Sequence, residues 1–199
     1  EMAHKNKIKS LGFASKNLNG PNTVSDKKIQ SLIKECKNYK IESVLLTQYV
    51  SLDKLIEQID FTKPKTISCS FHFSKAELET IRNTFKKLRI GIAVNPENFD
   101  ISYLRSIKNI VNVIYYDLNV YKTKSIRKCS LKKNLDQINW IKELKIPIFI
   151  GGGINQNNVS KIINSVRPDG LDISRSLKNS KNILSSKKLN SFLSQISVA

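Results

Sequence analysis

The chain has 199 residues, with 34 lysines and arginines against 16 aspartates and glutamates, which gives a formal net charge of +18. Because 40% of the residues are hydrophobic, the chain can bury a core, which excludes a disordered tail, and its length suits one domain. No run of about 18 to 20 uninterrupted apolar residues occurs, so we expect no membrane partner. Three cysteines without short spacing favour a reduced, cytoplasmic compartment.

The positive charge is spread along the chain. The lysines run from Lys5 to Lys188, only six of the 34 basic residues are arginines, and the densest run is Lys122 to Lys133. We interpret most of this charge as a compositional background of solvated helix faces, and we do not expect a nucleic-acid partner. A surface that binds a polyanion through its phosphates stays open as the alternative.

Short β-branched runs alternate along the chain with longer stretches of helical period. The predicted strands are Ile8–Ala14, Ser43–Leu46, Thr66–Ser70, Ile90–Val94, Asn112–Tyr116, Ile146–Ile150 and Gly170–Ile173. The predicted helices are Asp26–Tyr39, Leu52–Ile59, Lys75–Lys87, Glu97–Ile107, Leu131–Leu144, Asn157–Val166 and Ser186–Ile196. Ser25, Ser51 and Ser74 are good helix caps, and Glu77 completes a capping box with Ser74.

Strands that are each followed by a helix require a parallel sheet with right-handed crossovers, either open and doubly wound or closed. We expect an α/β fold, a (β/α)8 TIM barrel of which this chain holds seven βα units. A complete barrel of eight units typically takes about 250 residues, and compact ones take about 200. Since the chain starts at Glu1 and Glu1–Asn6 is too short for a strand and a helix, residues 1–199 are expected to form one domain without its first βα unit. An open sheet edge and low stability would follow.

The strand Ile146–Ile150 ends in three glycines, Gly151–Gly153. At the carboxyl end of a barrel strand, bare backbone can approach a phosphate closely, and the loops after the last two strands often share that phosphate. The next strand runs into Ser174 and Arg175, where a short helix can begin. We therefore predict a phosphate site made by Gly152, Gly153, Ser174 and Arg175. Glycines that only turn the chain are the alternative, and a dinucleotide fingerprint is not satisfied.

The segments Gly151–Val159 and Val166–Ser174, with the closing helix ending Phe192-Leu193, resemble the C-terminal third of the phosphoribosylanthranilate isomerases. That family reads roughly Gly-Gly-Leu-x-x-x-Asn-Val, then Val-Arg-Pro-x-Gly-Val-Asp-Val-Ser-Ser-Gly. Upstream, Leu11–Phe13 resembles the second strand of the family and Gly20–Asp26 its following loop. Between residues 27 and 110 only the alternation of strands and helices agrees.

The resemblance implies the Amadori rearrangement of N-(5-phosphoribosyl)anthranilate in tryptophan biosynthesis, without a cofactor or a metal. A general acid protonates the ribose ring oxygen and a general base removes the C2 proton. Asp117 matches the family's general acid at the end of strand six, and Asp172 matches the residue that contacts the anthranilate portion. Asn22 lies in the loop where the family has an arginine for the substrate carboxylate.

The chain departs from the family at the general base, a cysteine in a Lys-x-Cys-Gly strand that this sequence lacks. We interpret Cys36 and Cys69 as core residues, and Cys129 follows strand six, where a thiol could reach the site. His72 is interpreted as structural. The family's glycine-rich loop after strand six is replaced by a basic segment in which three cations could contact an anion, namely Lys124, Arg127 and Lys128.

Three functions remain open from the sequence. The first is a phosphoribosylanthranilate isomerase that acts on a small phosphosugar substrate, as a monomer or a homodimer. The second is a non-catalytic barrel that binds a phosphosugar but has lost the general base. The third and weakest is an RNA-associated basic protein.

Overall fold

The computed structural model describes residues 1–18, 20, 22–122, 125–128 and 131–196, with side chains described outside residues 120–133. The chain divides into two compact units. The first contains Glu1–Ala93 and Ser106–Val113, and the second contains Val94–Arg105 and Ile114–Ala199. No helix in the described part of the chain is both long enough and apolar enough to cross a bilayer.

The first unit alternates helices and strands from its amino end. Its helices are α1 (Met2–Lys5), α2 (Asp26–Asn38), α3 (Leu52–Thr62) and α4 (Lys75–Thr84), with a short 3-10 helix at Lys16–Leu18. Its strands are β1 (Ser10–Ala14), β2 (Glu42–Thr47), β3 (Thr66–Cys69) and β4 (Arg89–Val94), which pair in parallel in the order β1-β2-β3-β4.

The residues that neighbouring strands of the first unit place side by side are apolar and buried. Leu45, Ile67 and Ile90 lie side by side on neighbouring strands and are fully buried. Helix α2 packs against β2 and carries an apolar stripe that includes the buried Ile29 and Ile33. Apolar runs of this kind belong to parallel strands that are covered by helices, as the sequence predicts.

The helix starts follow from their capping side chains. The Ser25 hydroxyl accepts the Lys28 N–H at 3.4 Å, and Ser74 and Glu77 form a complete capping box at the start of α4. These caps confirm the predicted starts of α2 and α4.

The second unit holds the remaining strands. They are β5 (Val113–Asp117), β6 (Asn119–Lys122), β7 (Ser125–Lys128), β8 (Ile148–Gly151) and β9 (Gly170–Leu171). Strands β5, β8 and β9 pair in parallel in that order, while β6 and β7 form a separate antiparallel hairpin. The helices are α6 (Leu131–Glu143), α7 (Val159–Val166) and α8 (Ser186–Ile196), with a 3-10 helix at Arg175–Leu177, and α5 (Ile101–Ile107) bridges the boundary in sequence.

All seven predicted strands and all seven predicted helices are present, with small differences at their ends. Helix α5 begins at Ile101 rather than at Glu97, because the Asp100 carboxylate accepts the N–H groups of Ser102 and Tyr103 and caps the helix there. Helix α1 and the hairpin β6–β7 were not predicted. The expectation of one domain that lacks its first βα unit stays a prediction.

Candidate active site

The carboxyl ends of β5, β8 and β9 enclose a cleft of about 570 Å³ in the second unit. Parallel pairing aligns Asp117 with Gly151 and Ile150 with Leu171, so the residues that end each strand face the same edge of the sheet. The cleft contains six of the seven residues that the sequence predicts for the site, namely Asp117, Gly152, Gly153, Asp172, Ser174 and Arg175.

Asp117 is the last residue of β5 and is half-buried. Its Oδ1 atom accepts the backbone N–H of Asn119 at 2.9 Å, and the N–H of Leu118 donates to the Gly151 carbonyl at 3.0 Å. Asn119 itself is only 2% exposed. The turn after β5 is therefore anchored, and it holds the Asp117 carboxylate in a fixed position at the mouth of the cleft.

Gly152 packs directly against this carboxylate. Its φ is +89°, and a Cβ atom on it would overlap Asp117 Oδ1 and lie 2.6 Å from the Leu118 nitrogen and 2.9 Å from the Asn119 nitrogen. Gly153 also has a positive φ, +73°, but a Cβ there would meet the Asn119 side chain at an ordinary 3.6 Å. Close approach thus requires glycine at position 152 for steric reasons that do not hold at position 153.

Two asparagines fix the loop that follows the glycines. The amide nitrogens of Asn155 and Asn158 both donate to the Gly153 carbonyl at 3.1 Å, and the Asn155 N–H donates to Asn158 Oδ1 at 2.8 Å. This clamp moves the start of α7 to Val159, two residues later than predicted. The sequence signal for it was the Asn-x-x-Asn spacing, which the sequence analysis did not use.

Asp172 directly follows β9, and its N–H donates to the Ile150 carbonyl at 2.8 Å. Solvent still reaches the side chain, but the carboxyl lies among neighbouring strand ends. This burial raises the pKa of the Asp172 carboxyl above its ordinary value, and the negative charge of Asp117 raises it further. The Asp172 carboxyl therefore holds its proton more readily than a solvated aspartate does.

The loop after β9 completes the cleft. Ser174 precedes the 3-10 helix Arg175–Leu177, and its carbonyl accepts the Leu177 N–H at 3.2 Å. The Arg175 side chain is exposed. Ser176 also lines the cleft, and its Oγ atom is buried without a hydrogen-bond partner among the described residues. The sequence analysis missed Ser176, since nothing in the sequence shows an unpaired oxygen.

The other predicted positions have different outcomes. Asn22 lies in a turn of the first unit. His72 Nε2 lies 3.1 Å from the Ala93 carbonyl, which suits the structural role predicted for it. Cys129 and Lys124 fall outside the described residues, as do the side chains of Arg127 and Lys128.

Cys36 and Cys69 are buried, which confirms their assignment to the core. Burial raises the pKa of the Cys36 thiol and raises the pKa of the Cys69 thiol to about 12. Neither thiol is suited to act as a base near neutral pH. The described residues contain no group of three or more histidine, cysteine or acidic side chains that could hold a metal ion.

No protein-family model matches the chain, but curated proteins do. An N-(5'-phosphoribosyl)anthranilate isomerase of Sulfurihydrogenibium sp. is 24% identical over 174 residues, which cover 87% of this chain and 81% of that protein. A protein of the same name from Methanococcus voltae is 47% identical over 47 residues, which cover 23% of this chain and 70% of that protein.

Solved structures share the fold. The N-(5'-phosphoribosyl)anthranilate isomerase of Pyrococcus furiosus matches 100% of this chain and 93% of its own with a TM-score of 0.75 at 18% identity. A phosphoribosyl anthranilate isomerase in complex with reduced 1-(o-carboxyphenylamino)-1-deoxyribulose 5-phosphate matches 100% of this chain and 92% of its own, with a TM-score of 0.71 at 13% identity. This agreement confirms the predicted TIM-barrel fold class. With the sequence matches beside it, we conclude that the chain belongs to the phosphoribosylanthranilate isomerase family.

Proposed function

We propose that this protein catalyses the Amadori rearrangement of N-(5-phosphoribosyl)anthranilate, as a cytoplasmic enzyme of tryptophan biosynthesis. The observation that carries the proposal is the cleft of the second unit. In this cleft, the Asp117 carboxylate lies against Gly152, and Asp172 lies at the same edge of the sheet. In TIM barrels this edge, at the carboxyl ends of the strands, is where catalysis takes place.

Asp117 is our candidate for the general acid. The reaction opens the ribose ring by protonating its ring oxygen, and transfer of the C2 proton of the resulting iminium to a general base then gives the enolamine that becomes the ketose. An acid for the first step must hold a fixed position beside the ring oxygen. The hydrogen bond from Asn119 and the contact with Gly152 supply such a position for Asp117.

The phosphate group would lie between the two loops of the cleft. Gly152 and Gly153 expose bare backbone there, and Arg175 contributes the cation among the described residues that line the cleft. A guanidinium binds phosphate through two parallel hydrogen bonds, which fixes the orientation of the substrate. Ser174 precedes Arg175 and would add a hydroxyl contact.

Asp172 is our candidate for contact with the anthranilate portion of the substrate. A carboxyl with a raised pKa retains its proton more readily, and in that form it can donate a hydrogen bond to the substrate. Asn22 remains our candidate for contact with the substrate carboxylate in place of the arginine of the family. The oligomeric state, monomer or homodimer, stays a prediction.

The experiment is a turnover assay with freshly prepared N-(5-phosphoribosyl)anthranilate, whose fluorescence disappears as it is converted. We expect turnover by the wild-type protein and a KM at least tenfold higher for Arg175→Ala, since a charge-assisted phosphate contact is lost. Arg105→Ala, which removes an exposed arginine elsewhere in the second unit, is the matched control and should leave KM unchanged.

A second candidate function is phosphosugar binding without catalysis. It is favoured by one observation, namely that the two described cysteines are buried with raised pKa values and do not supply the family's thiol base. Binding of ribose 5-phosphate that is weakened by Arg175→Ala, together with no turnover, would support this second function and refute the first.

A further inference from the structure

The first unit contains a second cleft, formed by the turns that lead from helices into strands. It has a volume of about 810 Å³ and lies at the amino ends of β2, β3 and β4. The residues around it include six lysines and only two acids, a net charge of +4. The lysines are Lys37, Lys40, Lys63, Lys65, Lys86 and Lys87. We call this feature the lysine cleft.

The two acids do little to neutralise the lysines. Both Glu42 oxygens accept Arg89 Nη1 at 2.9 Å, and one of them also accepts the Thr66 hydroxyl. Asp60 is exposed on α3. Among the described residues, no lysine of the cleft has a carboxylate oxygen within 4 Å of its ammonium group. The lysine cleft therefore presents cations without counterions in the part of the chain that the structure describes.

Helix ends explain only part of this cluster. Lys40 and Lys63 follow the carboxyl ends of α2 and α3 with φ values of 54° and 52°, where a cation is favoured by the helix dipole. Glycine is the residue that usually takes this left-handed conformation. Lys86 lies as far beyond α4 as Lys40 lies beyond α2, whereas Lys65 and Lys87 lie three residues past the ends of their helices, where the effect of the dipole falls off. Lys65 and Lys87 add to the mutual repulsion, and neither forms an ion pair with a described residue.

The floor of the lysine cleft is apolar. Ile41, Ile59 and Leu88 are buried beneath it, and the half-buried Phe85 lies at its side. Clefts that bind small molecules have volumes of about 300 to 1,000 Å³ and combine an apolar lining with a few polar groups. The lysine cleft has this size and an apolar floor, but half of its lining residues are charged, which suits a ligand that carries several phosphates.

We propose that the lysine cleft binds a small polyphosphorylated anion with an apolar or aromatic portion, of the size and chemistry of a nucleoside triphosphate. Lysine ammonium groups bind phosphates as point charges. A cluster of lysines therefore suits a ligand with several phosphates in a row better than it suits a ligand with a single carboxylate. No residue of the lysine cleft belongs to the cleft of the second unit. The proposal is therefore independent of the proposed isomerase activity.

The test is calorimetric titration of the protein with ATP, inorganic tripolyphosphate and AMP at about 150 mM salt, where distant surface charges are screened. We expect submillimolar dissociation constants for ATP and tripolyphosphate, and binding of AMP at least tenfold weaker. The variant Lys86→Ala/Lys87→Ala should weaken ATP binding about five- to tenfold. Its unfolding temperature should not fall, because both lysines are exposed and their removal lowers the repulsion, and its isomerase activity should not change.

The matched control is Lys27→Ala/Lys28→Ala, which removes another pair of adjacent exposed lysines from the first unit, outside the lysine cleft. ATP binding within twofold of wild type in this control supports the proposal. Equal weakening by both double variants would overturn it, because the net charge would then account for the binding. No ATP binding, or binding only of a long single-stranded oligonucleotide or an acidic peptide, would also overturn it.

Discussion

Replacement of Gly152 by alanine tests whether the glycine loop fixes the catalytic carboxylate. The added Cβ would overlap Asp117 Oδ1 and approach the Leu118 and Asn119 nitrogens to 2.6 and 2.9 Å. The Leu118 N–H is held by the Gly151 carbonyl, so the Asp117 carboxylate must move and lose its hydrogen bond from Asn119. This loss costs about 2 kcal/mol, and an alanine at a φ of +89° costs about 1 to 2 kcal/mol more.

Gly153→Ala is the matched control. It has the same left-handed backbone, with a φ of +73°, but its Cβ would meet its nearest neighbour at 3.6 Å. Only the conformational cost of about 1 to 2 kcal/mol remains. We therefore expect Gly152→Ala to lower the unfolding free energy by about 2 kcal/mol more than Gly153→Ala does.

The assay is thermal unfolding followed by circular dichroism, combined with turnover of N-(5-phosphoribosyl)anthranilate. For a chain of this size, 1 kcal/mol corresponds to about 2 to 4 °C, so Gly152→Ala should unfold about 10 °C below wild type and Gly153→Ala about 4 °C below it. A displaced acid should also lower kcat about 100-fold in Gly152→Ala. Equal stability and equal kcat in the two variants would refute the contact between Gly152 and Asp117.

Three further variants test other parts of the structure. Burial and the charge of Asp117 raise the pKa of Asp172 in the folded state. Between about pH 4 and the raised pKa, the folded protein therefore binds more protons than the unfolded one. The free energy of unfolding falls as the pH rises through this range. Asp172→Asn should remove this fall and unfold at a higher temperature than wild type at pH 7 but not at pH 4; a lower unfolding temperature at pH 7 would contradict it. Arg82→Met should lower the free energy of unfolding in urea by about 2 to 3 kcal/mol, because the guanidinium donates at 2.6 Å to two backbone carbonyls and to Asn112. A loss below about 0.5 kcal/mol would show that these hydrogen bonds are dispensable. Ser176→Ala should leave the unfolding temperature unchanged or slightly higher, because its buried Oγ has no hydrogen-bond partner among the described residues, and a clear loss of stability would contradict this.

The fold was predictable because buried parallel strands have sequences of consecutive apolar residues. Ile90–Val94 was predicted and β4 covers Arg89–Val94, an error of one residue. The hairpin β6–β7 was missed because its two strands have four residues each, too few for a clear alternation, and its sequence is dominated by lysine and other polar residues.

The candidate site was predictable for residues whose position depends on a single strand end or a single loop. Arg175 follows from the rule that the loops after the last barrel strands build a phosphate site, whereas the resemblance to the family is what points to Asp117 as the general acid. The contact between Gly152 and Asp117 depends on the register of β5 against β8, and the unpaired Ser176 oxygen depends on the packing of the last loop. Neither is determined by residues that are close in sequence, so neither could be predicted from sequence spacing.

The most direct test of the proposed function is the turnover number of Asp117→Asn under saturating substrate. Asparagine keeps the size of the side chain and its oxygen but cannot donate the proton that opens the ribose ring. We predict a loss in kcat of at least 100-fold, with binding of ribose 5-phosphate unchanged, while Asp136→Asn, at an exposed position of α6, retains wild-type kcat. A kcat for Asp117→Asn within about threefold of wild type would contradict the assignment of Asp117 as the general acid.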